Sequence, residues 1–431
     1  MIFTRLLLRA RSHAPRAVWA IADQGINPAV QLALTPYLLG RLGKADFGIW
    51  VLANTFLSLS QLVSSGAGVA TTKHVSADLA IGAKADAISA TRAALTIVLL
   101  GGTIAILLTW LLAPTIARSF FTQMGPSEHI APIIALSGLA AAIQEVDNLY
   151  AAAMRGAERF DLCAKIEVPT RVAMGVVIAL LVWRSSDVYV LFVDLIIMMA
   201  VKAVLKALQA GRLFQSNTCL CPSTSGQSIR RVLRFGVWQW LQSAGTALFS
   251  ATDQLIVGSL LGATALTRYS VCLQIAQYVH VIPSVMMQII FPRVSALGPQ
   301  LDPRRGNEIL WSATALSTGT ALLLGIPIIL LAYPLLKVWV GGSFADDNHW
   351  LLIVLVSVHI TLAINIGAYF VLLGSDRPAK SAGIVLAAGT VQSAFAIAVA
   401  PFGILAVACN RIFYALLTLF LYRAAKFKIH E

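Results

Sequence analysis

Charge is scarce in this chain. Only 12% of its 431 residues are Asp, Glu, Lys or Arg, and acids are the rarer sign, 19 against 32 basic residues. An ordinary soluble domain carries roughly 25% charged residues. Long polar stretches are missing too, which excludes a separate water-soluble domain. Cysteine is sparse: Cys163, Cys219, Cys221, Cys272 and Cys409 suggest no disulfide scaffold. Cys219-Leu-Cys221 has neither a second pair nor flanking histidines, and zinc sites need both number and spacing. There is no nucleotide loop, no metal-ligand spacing and no nucleophile arrangement, so this chain draws no energy from bound ATP and is not read as an enzyme. Gly66-Ala-Gly68 is half of a dinucleotide motif with no strand before it. It reads as close helix packing.

Apolar residues fill the space that charge leaves. They make up 58% of the chain, and mean hydropathy is +0.80. One soluble core has no room for so much apolar surface, whereas lipid removes the difficulty. A crossing needs roughly 20 mostly apolar residues. That window places spans near 17–40, 47–70, 93–117, 131–154, 168–184 and 188–210. After a polar connector over 211–234 come 235–260, 266–292, 309–333, 349–373, 380–399 and 402–422. The sequence predicts an all-α polytopic membrane protein of about twelve helices, with an N-terminal lobe over 1–215 and a C-terminal lobe over 216–431.

The net charge of +13 would suggest a nucleic-acid partner in a soluble protein. Its placement excludes one here. With the N-terminus inside, the inner segments hold 24 of the 32 basic residues and the outer loops six, as the positive-inside rule requires. Met1 to Arg16 reads as a basic cytosolic tail and not a cleaved signal. Both termini are expected in the cytoplasm. Trp19, Trp110, Trp183, Trp238, Trp311 and Trp339 fall near span ends, where an aromatic belt belongs.

The halves resemble each other. An offset of 219 residues lays Arg11 on Arg230, Val18-Trp19 on Val237-Trp238, Leu42-Gly43 on Leu261-Gly262, and Val75-Ser76-Ala77 on Val294-Ser295-Ala296. One residue less lays Gly156-Ala-Glu158-Arg159 on Gly374-Ser-Asp376-Arg377. Six spans is an even number, so both halves enter the bilayer the same way. Parallel repeats of this kind serve alternating access.

The stretch Pro36-Tyr-Leu-Leu-Gly-Arg-Leu-Gly-Lys-Ala-Asp-Phe-Gly48-Ile-Trp50, with Ser65-Gly-Ala-Gly68 and Lys73-His-Val-Ser76 after it, resembles the start of the polysaccharide exporters. These include the O-antigen (lipid-linked oligosaccharide) flippases of the multidrug/oligosaccharidyl-lipid/polysaccharide flippase superfamily. Asp253-Gln-Leu-Ile-Val-Gly258 and the Gly-x-acid-Arg loops fit the same pattern. Thr267-Arg268-Tyr269 departs from it, since a small residue usually precedes the tyrosine. The resemblance implies a multidrug-and-toxin-extrusion-like fold, a multi-pass protein of the bacterial inner membrane, and a lipid-linked glycan as substrate. It also implies contact with membrane lipid and with the polysaccharide polymerase and chain-length machinery.

Charges at membrane depth usually face a wet cavity or a bundle interior. Asp23, Gln24, Asn27 and Gln31 place polar groups on the first span; Asp23, Asn27 and Gln31 share a face, and Pro28 and Pro36 kink the helix. This face is expected to line the transport cavity, with packing glue as the competing reading. Glu145, Asp147 and Asn148 lie on the fourth span. The acids Glu145 and Asp147, with Asp23, are expected to take a coupling proton or sodium ion; the competing reading pairs Glu145 and Asp147 structurally with Arg171. Arg171 and Arg411 are candidate contacts for a lipid diphosphate, because a guanidinium pairs bidentately with phosphate. Asp253 and Arg268 complete the candidate substrate set. Lys202 and Lys206 are expected to snorkel to headgroups. His74 and His280 read as packing residues. No cofactor is expected beyond coupling to H+ or Na+.

Two functions from one superfamily compete: a flippase for an undecaprenyl-diphosphate-linked oligosaccharide, and a cation-coupled drug or metabolite antiporter using Asp23, Glu145, Asp147 and Asp253. A membrane enzyme would need a large outer loop, and the longest here, about 334–350, is short.

Overall fold

A computed structural model describes residues 14–124, 126–184, 187–296, 303–374 and 378–425. The side chains of Asp23, Gln24 and Asn27 lie outside the described residues, as does the Ser375–Arg377 loop. Every long element among the described residues is helical. In order they are α1 (Ala14–Ser60), α2 (Gly66–Ala80), α3 (Lys84–Phe120), α4 (Ser127–Gly156), α5 (Phe160–Arg184), α6 (Val188–Phe214), α7 (Gly226–Ile256) and α8 (Gly262–Ala276). Then follow α9 (Tyr278–Ala296), α10 (Pro303–Leu330), α11 (Ala332–Trp339), α12 (Gly342–Ile364), α13 (Ile366–Gly374), α14 (Pro378–Val399), α15 (Ile404–Leu417) and α16 (Phe420–Ala425).

Nine of the described helical runs are long and apolar enough to cross a membrane, and α1 with α2 forms a tenth across a bend. Two of these runs are too long for one crossing. Gly226–Met287 has 62 residues, about 90 Å at the helical rise, against a hydrocarbon core of about 30 Å. It breaks at Gly262, with φ 84° and ψ 177°. The first run breaks at Gly43, with φ 78° and ψ 175°. Dividing both gives twelve crossings among the described residues, the number expected from the sequence. The two glycines are 219 residues apart and share one backbone conformation, open essentially to glycine alone. The repeat therefore has a conformational counterpart.

Spans run longer than hydropathy suggested. The connector shrinks to Gln215–Ser225, because α6 continues to Phe214 and α7 begins at Gly226. The outer loop near 334–350 is largely helical, leaving only Val340-Gly341 between α11 and α12. Polar residues at span ends keep helical backbone bonds where water takes over from lipid, so hydropathy underestimates helix length.

The chain packs as two compact units. One comprises Met1–Gly43, Phe56–Ala117 and Glu128–Val237; the other comprises Lys44–Thr55, Arg118–Ser127 and Trp238–Glu431. In the first, Ala67, Ala70, Ala93, Ala94, Val98 and Leu149 build a core. Small side chains dominate because lipid gives helices no hydrophobic reason to associate, and close backbone approach is what remains. A Cβ on Gly66 would run into the Gly236 carbonyl. In the second unit, segment 44–55 packs on residues 254–267. Thr267 Oγ1 donates to the Lys44 carbonyl, Thr55 Oγ1 donates to Gln254 Oε1 at 2.6 Å, and a Cβ on Gly48 would strike the Ala263 carbonyl. The Phe-Gly-Ile-Trp stretch is thus a packing motif. Leu100, Trp110, Trp183 and Trp238 are exposed, as lipid-facing residues are.

Gly43→Ala and Gly262→Ala are each expected to cost about 1–3 kcal/mol, whereas Gly40→Ala, helical with open space around its Cα, is near neutral. Thermal unfolding in detergent measures the three.

Candidate functional site

Each unit holds a buried ionic network. In the first, α4 supplies Gln144, Glu145, Asp147 and Asn148, α5 supplies Glu167 and Arg171, and α6 supplies Lys202 and Lys206. Residues four apart stack on one helix face, so each pair on α5 and α6 points the same way. Lys206 Nζ lies 2.6 Å from Glu167 Oε2 and 2.9 Å from Asp147 Oδ2. Lys202 Nζ lies 3.1 Å from Asp147 Oδ2 and 3.2 Å from Glu167 Oε1. Arg171 Nε donates to Glu167 Oε1 at 2.7 Å. Two ammonium groups thus interleave with two carboxylates, and a guanidinium caps one end.

This arrangement overturns the snorkelling expected of Lys202 and Lys206, which are 0% and 2% exposed. Carboxylates from two other helices meet them at their own depth. Ion pairing there replaces the headgroup contact. It also separates Arg171 from the fourth span: its partner is Glu167, one turn back on α5. Glu167 escaped the sequence reading because the fifth span was begun at residue 168. Its i, i+4 relation to Arg171 was the available signal.

A second layer of neutral side chains extends the network. The Gln144 amide donates to Asp147 Oδ2 and to Asn148 Oδ1, both at 3.1 Å. Asn148 Nδ2 donates to Glu145 Oε1 at 3.0 Å, and Ser64 Oγ donates to Glu145 Oε2 at 3.4 Å. Glu145 and Asp147 therefore part company: Asp147 is ion-paired, and Glu145 meets only neutral donors.

In the second unit, α7, α8, α14 and α15 converge on Asp253, which is fully buried. Arg411 Nη1 lies 2.9 Å from Asp253 Oδ2, and Tyr269 OH donates to the same oxygen at 2.8 Å. Gln392 Nε2 donates to Asp253 Oδ1 at 2.6 Å, and Asn410 Nδ2 donates to the Gln392 carbonyl at 2.9 Å. The Arg411 guanidinium sits 4.1 Å from the Phe249 ring centroid, and Phe249 stacks on Tyr414. Sequence reasoning named Asp253 and Arg411 apart; the fold makes them one pair, with Tyr269, Gln392 and Asn410 as unforeseen members.

The remaining candidates are scattered. Gln31 is exposed. Arg268 Nη2 lies 3.2 Å from Asp347 Oδ2, with both side chains substantially exposed. The departure at Thr267-Arg268-Tyr269 thus places a surface ion pair between two residues that face inward. His74 packs its ring edge against Phe235. Among the described residues no group of three or more His, Cys, Asp or Glu is placed to hold a metal. Cys219, outside the spans, is buried, and burial pushes its thiol above the ordinary range, which disfavours a thiolate ligand.

The family model for "Polysaccharide biosynthesis protein" matches residues 38–347. The chain belongs to the polysaccharide biosynthesis protein family. No curated protein matches in sequence. Solved structures match in fold. The inward-facing form of a multidrug resistance MATE family transporter of the MOP superfamily shares 15% identity, over 94% of this chain and 97% of its own, with a TM-score of 0.76. A Vibrio cholerae MATE transporter shares 14% over 95% and 97%, with a TM-score of 0.66. A Pyrococcus furiosus transporter of the MOP superfamily, titled for the reverse polarity of its binding pocket, shares 14% over 95% and 92%, with a TM-score of 0.64. This family member is a multi-pass membrane protein with a MATE-like fold.

Removing one partner of a buried ion pair leaves the other uncompensated, at about 3–5 kcal/mol. Arg411→Met is expected to destabilise by that amount, and Arg411→Met with Asp253→Leu to recover most of it. Chemical unfolding of the single and double variants gives the coupling; additive losses would contradict the pairing.

Proposed function

We propose that this transporter carries a lipid-linked oligosaccharide, an undecaprenyl-diphosphate-linked repeat unit or a related polysaccharide precursor, across the bacterial inner membrane. Two six-helix lobes, 1–215 and 216–431, alternate access to the two sides, with both termini cytoplasmic. The glycan head crosses within the protein while the lipid tail stays in the bilayer.

One observation carries the choice of cargo. The ionic network of the first unit has three cations, Arg171, Lys202 and Lys206, against two carboxylates, Asp147 and Glu167. Its cationic excess lies toward Arg171, the member with the greatest side-chain exposure at 21%. Arg171 commits Nε to Glu167. Its two terminal nitrogens make no hydrogen bond to the described residues, and they present the paired donors that a diphosphate accepts bidentately. The family description agrees with a polysaccharide precursor.

The antiporter reading needs carboxylates that are open to a cation. Asp253 has both oxygens engaged and Arg411 as its counter-ion, and Asp147 is shared by two lysines. Polarity therefore favours an anionic cargo. The Pyrococcus furiosus transporter, whose reverse pocket polarity suggests a different function according to its title, is a precedent for reading function from polarity within this fold.

Deletion in the native host is expected to remove surface polysaccharide and to accumulate lipid-linked repeat units. Arg171→Gln should restore export poorly, with a loss of tenfold or more for about 1.5–3 kcal/mol of charge-assisted bonding. Arg171→Lys should restore it in part. Normal surface polysaccharide with no accumulated intermediate would refute the proposal.

A further inference from the structure

The other acid of the fourth span, Glu145, has no role in the ionic network. It is 6% exposed, and neither oxygen has a cation within ion-pair distance among the described residues. Every charged group on the elements packed around α4 has another engagement or another place. On α2, Asp78 pairs with Arg231 of α7, with Nη2 at 2.6 Å from Oδ1, Lys73 sits 3.8 Å from the Phe235 ring centroid, and His74 packs on that ring. On α3, Arg92 donates to the Cys221 and Pro222 carbonyls, Lys84 donates to Gln215, Asp86 lies in the first turn, and Arg118 lies in the last. On α5 and α6, Arg171, Lys202, Lys206 and Glu167 satisfy one another and Asp147. Asp161 pairs with Arg159, Lys165 lies six residues before Arg171, Arg184 lies in the last turn of α5, Asp194 lies eight residues before Lys202, and Arg212 lies in the last turn of α6. Arg230 and Arg234 are exposed on α7. Arg155 lies in the last turn of α4.

An ionised carboxylate is expensive to bury without a counter-ion, and the neutral acid is the form that such a site accommodates. The donors around Glu145 suit that form. Asn148 Nδ2 donates to one oxygen. Ser64, on the other, is a hydroxyl and reverses its role: it donates to a carboxylate and accepts from a carboxylic acid. Ser64 also occupies a structural break. α1 ends at Ser60, a single turn of tighter helix covers Gln61–Val63, and α2 resumes at Gly66. Ser64 itself has φ −127° and ψ 6° and leaves the helical path. Just beyond it, Gly66 seats its backbone against Gly236. The carboxyl thus bonds directly to the point where the second span changes course.

We propose that Glu145 is the proton-binding site of the transport cycle, and that its hydrogen bond to Ser64 couples protonation to the break in the second span. While protonated, the acid stays buried beside Ser64, whose hydroxyl, 3.4 Å from Oε2, turns to accept. Loss of the proton to water leaves a carboxylate that the closed site cannot hold, so the Ser64 segment moves and the site rehydrates. Each passage binds one proton at Glu145 on one side and releases one on the other, and no other co-reactant takes part. Sodium is disfavoured, since a single carboxylate with an amide and a hydroxyl falls short of the oxygen cage a hard cation needs. The inference rests on the transporter reading but not on the cargo.

The test therefore needs no cargo. The full chain in lipid nanodiscs is titrated between acid and alkaline pH without and with added sodium chloride. Infrared difference spectra follow the carbonyl stretch of protonated carboxylic acid. Hydrogen exchange over residues 58–68, corrected for the intrinsic pH dependence, follows the break. In the wild type the carboxylic acid band is expected to disappear as pH rises, protection over 58–68 to fall several-fold with it, and sodium to change neither. Glu145→Gln should lack the band and keep the segment protected at both extremes. Ser64→Ala, which removes a single oxygen atom, should keep the band and lose the segment's response. A band unchanged in Glu145→Gln, a segment response that survives both substitutions, or a response driven by sodium would each overturn the proposal. Failure of cargo export with these responses intact would instead count against the flippase reading.

Discussion

Hydrocarbon tolerates no unpaired charge, and this constraint organises the molecule more than any other. An isolated ion at that depth costs several kcal/mol even after relaxation. The first unit meets the constraint by interleaving Lys202 and Lys206 with Asp147 and Glu167. The second meets it by setting Arg411 against Asp253 and satisfying the carboxylate with Tyr269 and Gln392. Each solution joins several helices, consecutive ones in the first unit and more distant ones in the second. In the first unit the partners come from α4, α5 and α6, and in the second from α7, α8, α14 and α15. Each network therefore fixes the rotation and depth of several helices at once, which packing of small residues alone would leave loosely specified.

What each network leaves over is what the functional account uses. Three cations on two carboxylates leave the first unit a positive excess at its Arg171 end, while Glu145, two residues before Asp147, stays outside the ion pairing. In the proposed cycle, an anionic head and a proton are addressed by different groups of one side-chain cluster. Asn148 and Gln144 connect the two through amide hydrogen bonds. Amides hold geometry without relaying protons, so the connection aligns the two sites and keeps their charges separate. The second unit has no comparable surplus around Asp253, where one cation meets one anion.

The fold was largely legible in the sequence because its signals are one-dimensional. Apolar run length, basic residues on one side and a fixed repeat offset each need no knowledge of neighbours. Gly43 and Gly262 appeared first as coincident letters and then as identical backbone breaks. Span ends were less legible, since helices continue past the point where hydropathy stops reporting them, and Glu167 was lost at such an edge. Partners were not legible. Nothing along the chain says that Lys206 meets Glu167 and Asp147, or that Arg411 meets Asp253, because those contacts depend on helix rotation. Lys202 and Lys206 lie near enough to a span end to suggest snorkelling, and only the carboxylates placed opposite them by the fold decide otherwise.

The account's central claim is that the moved species is an anionic glycolipid. Its most direct test is translocation by the purified chain in liposomes carrying a fluorescent undecaprenyl-diphosphate-linked saccharide in one leaflet. The account predicts transfer to the other leaflet well above protein-free vesicles, and competition by the unlabelled lipid-linked saccharide. Transport of cationic drugs by the same vesicles, with no transfer of the lipid-linked saccharide, would contradict it.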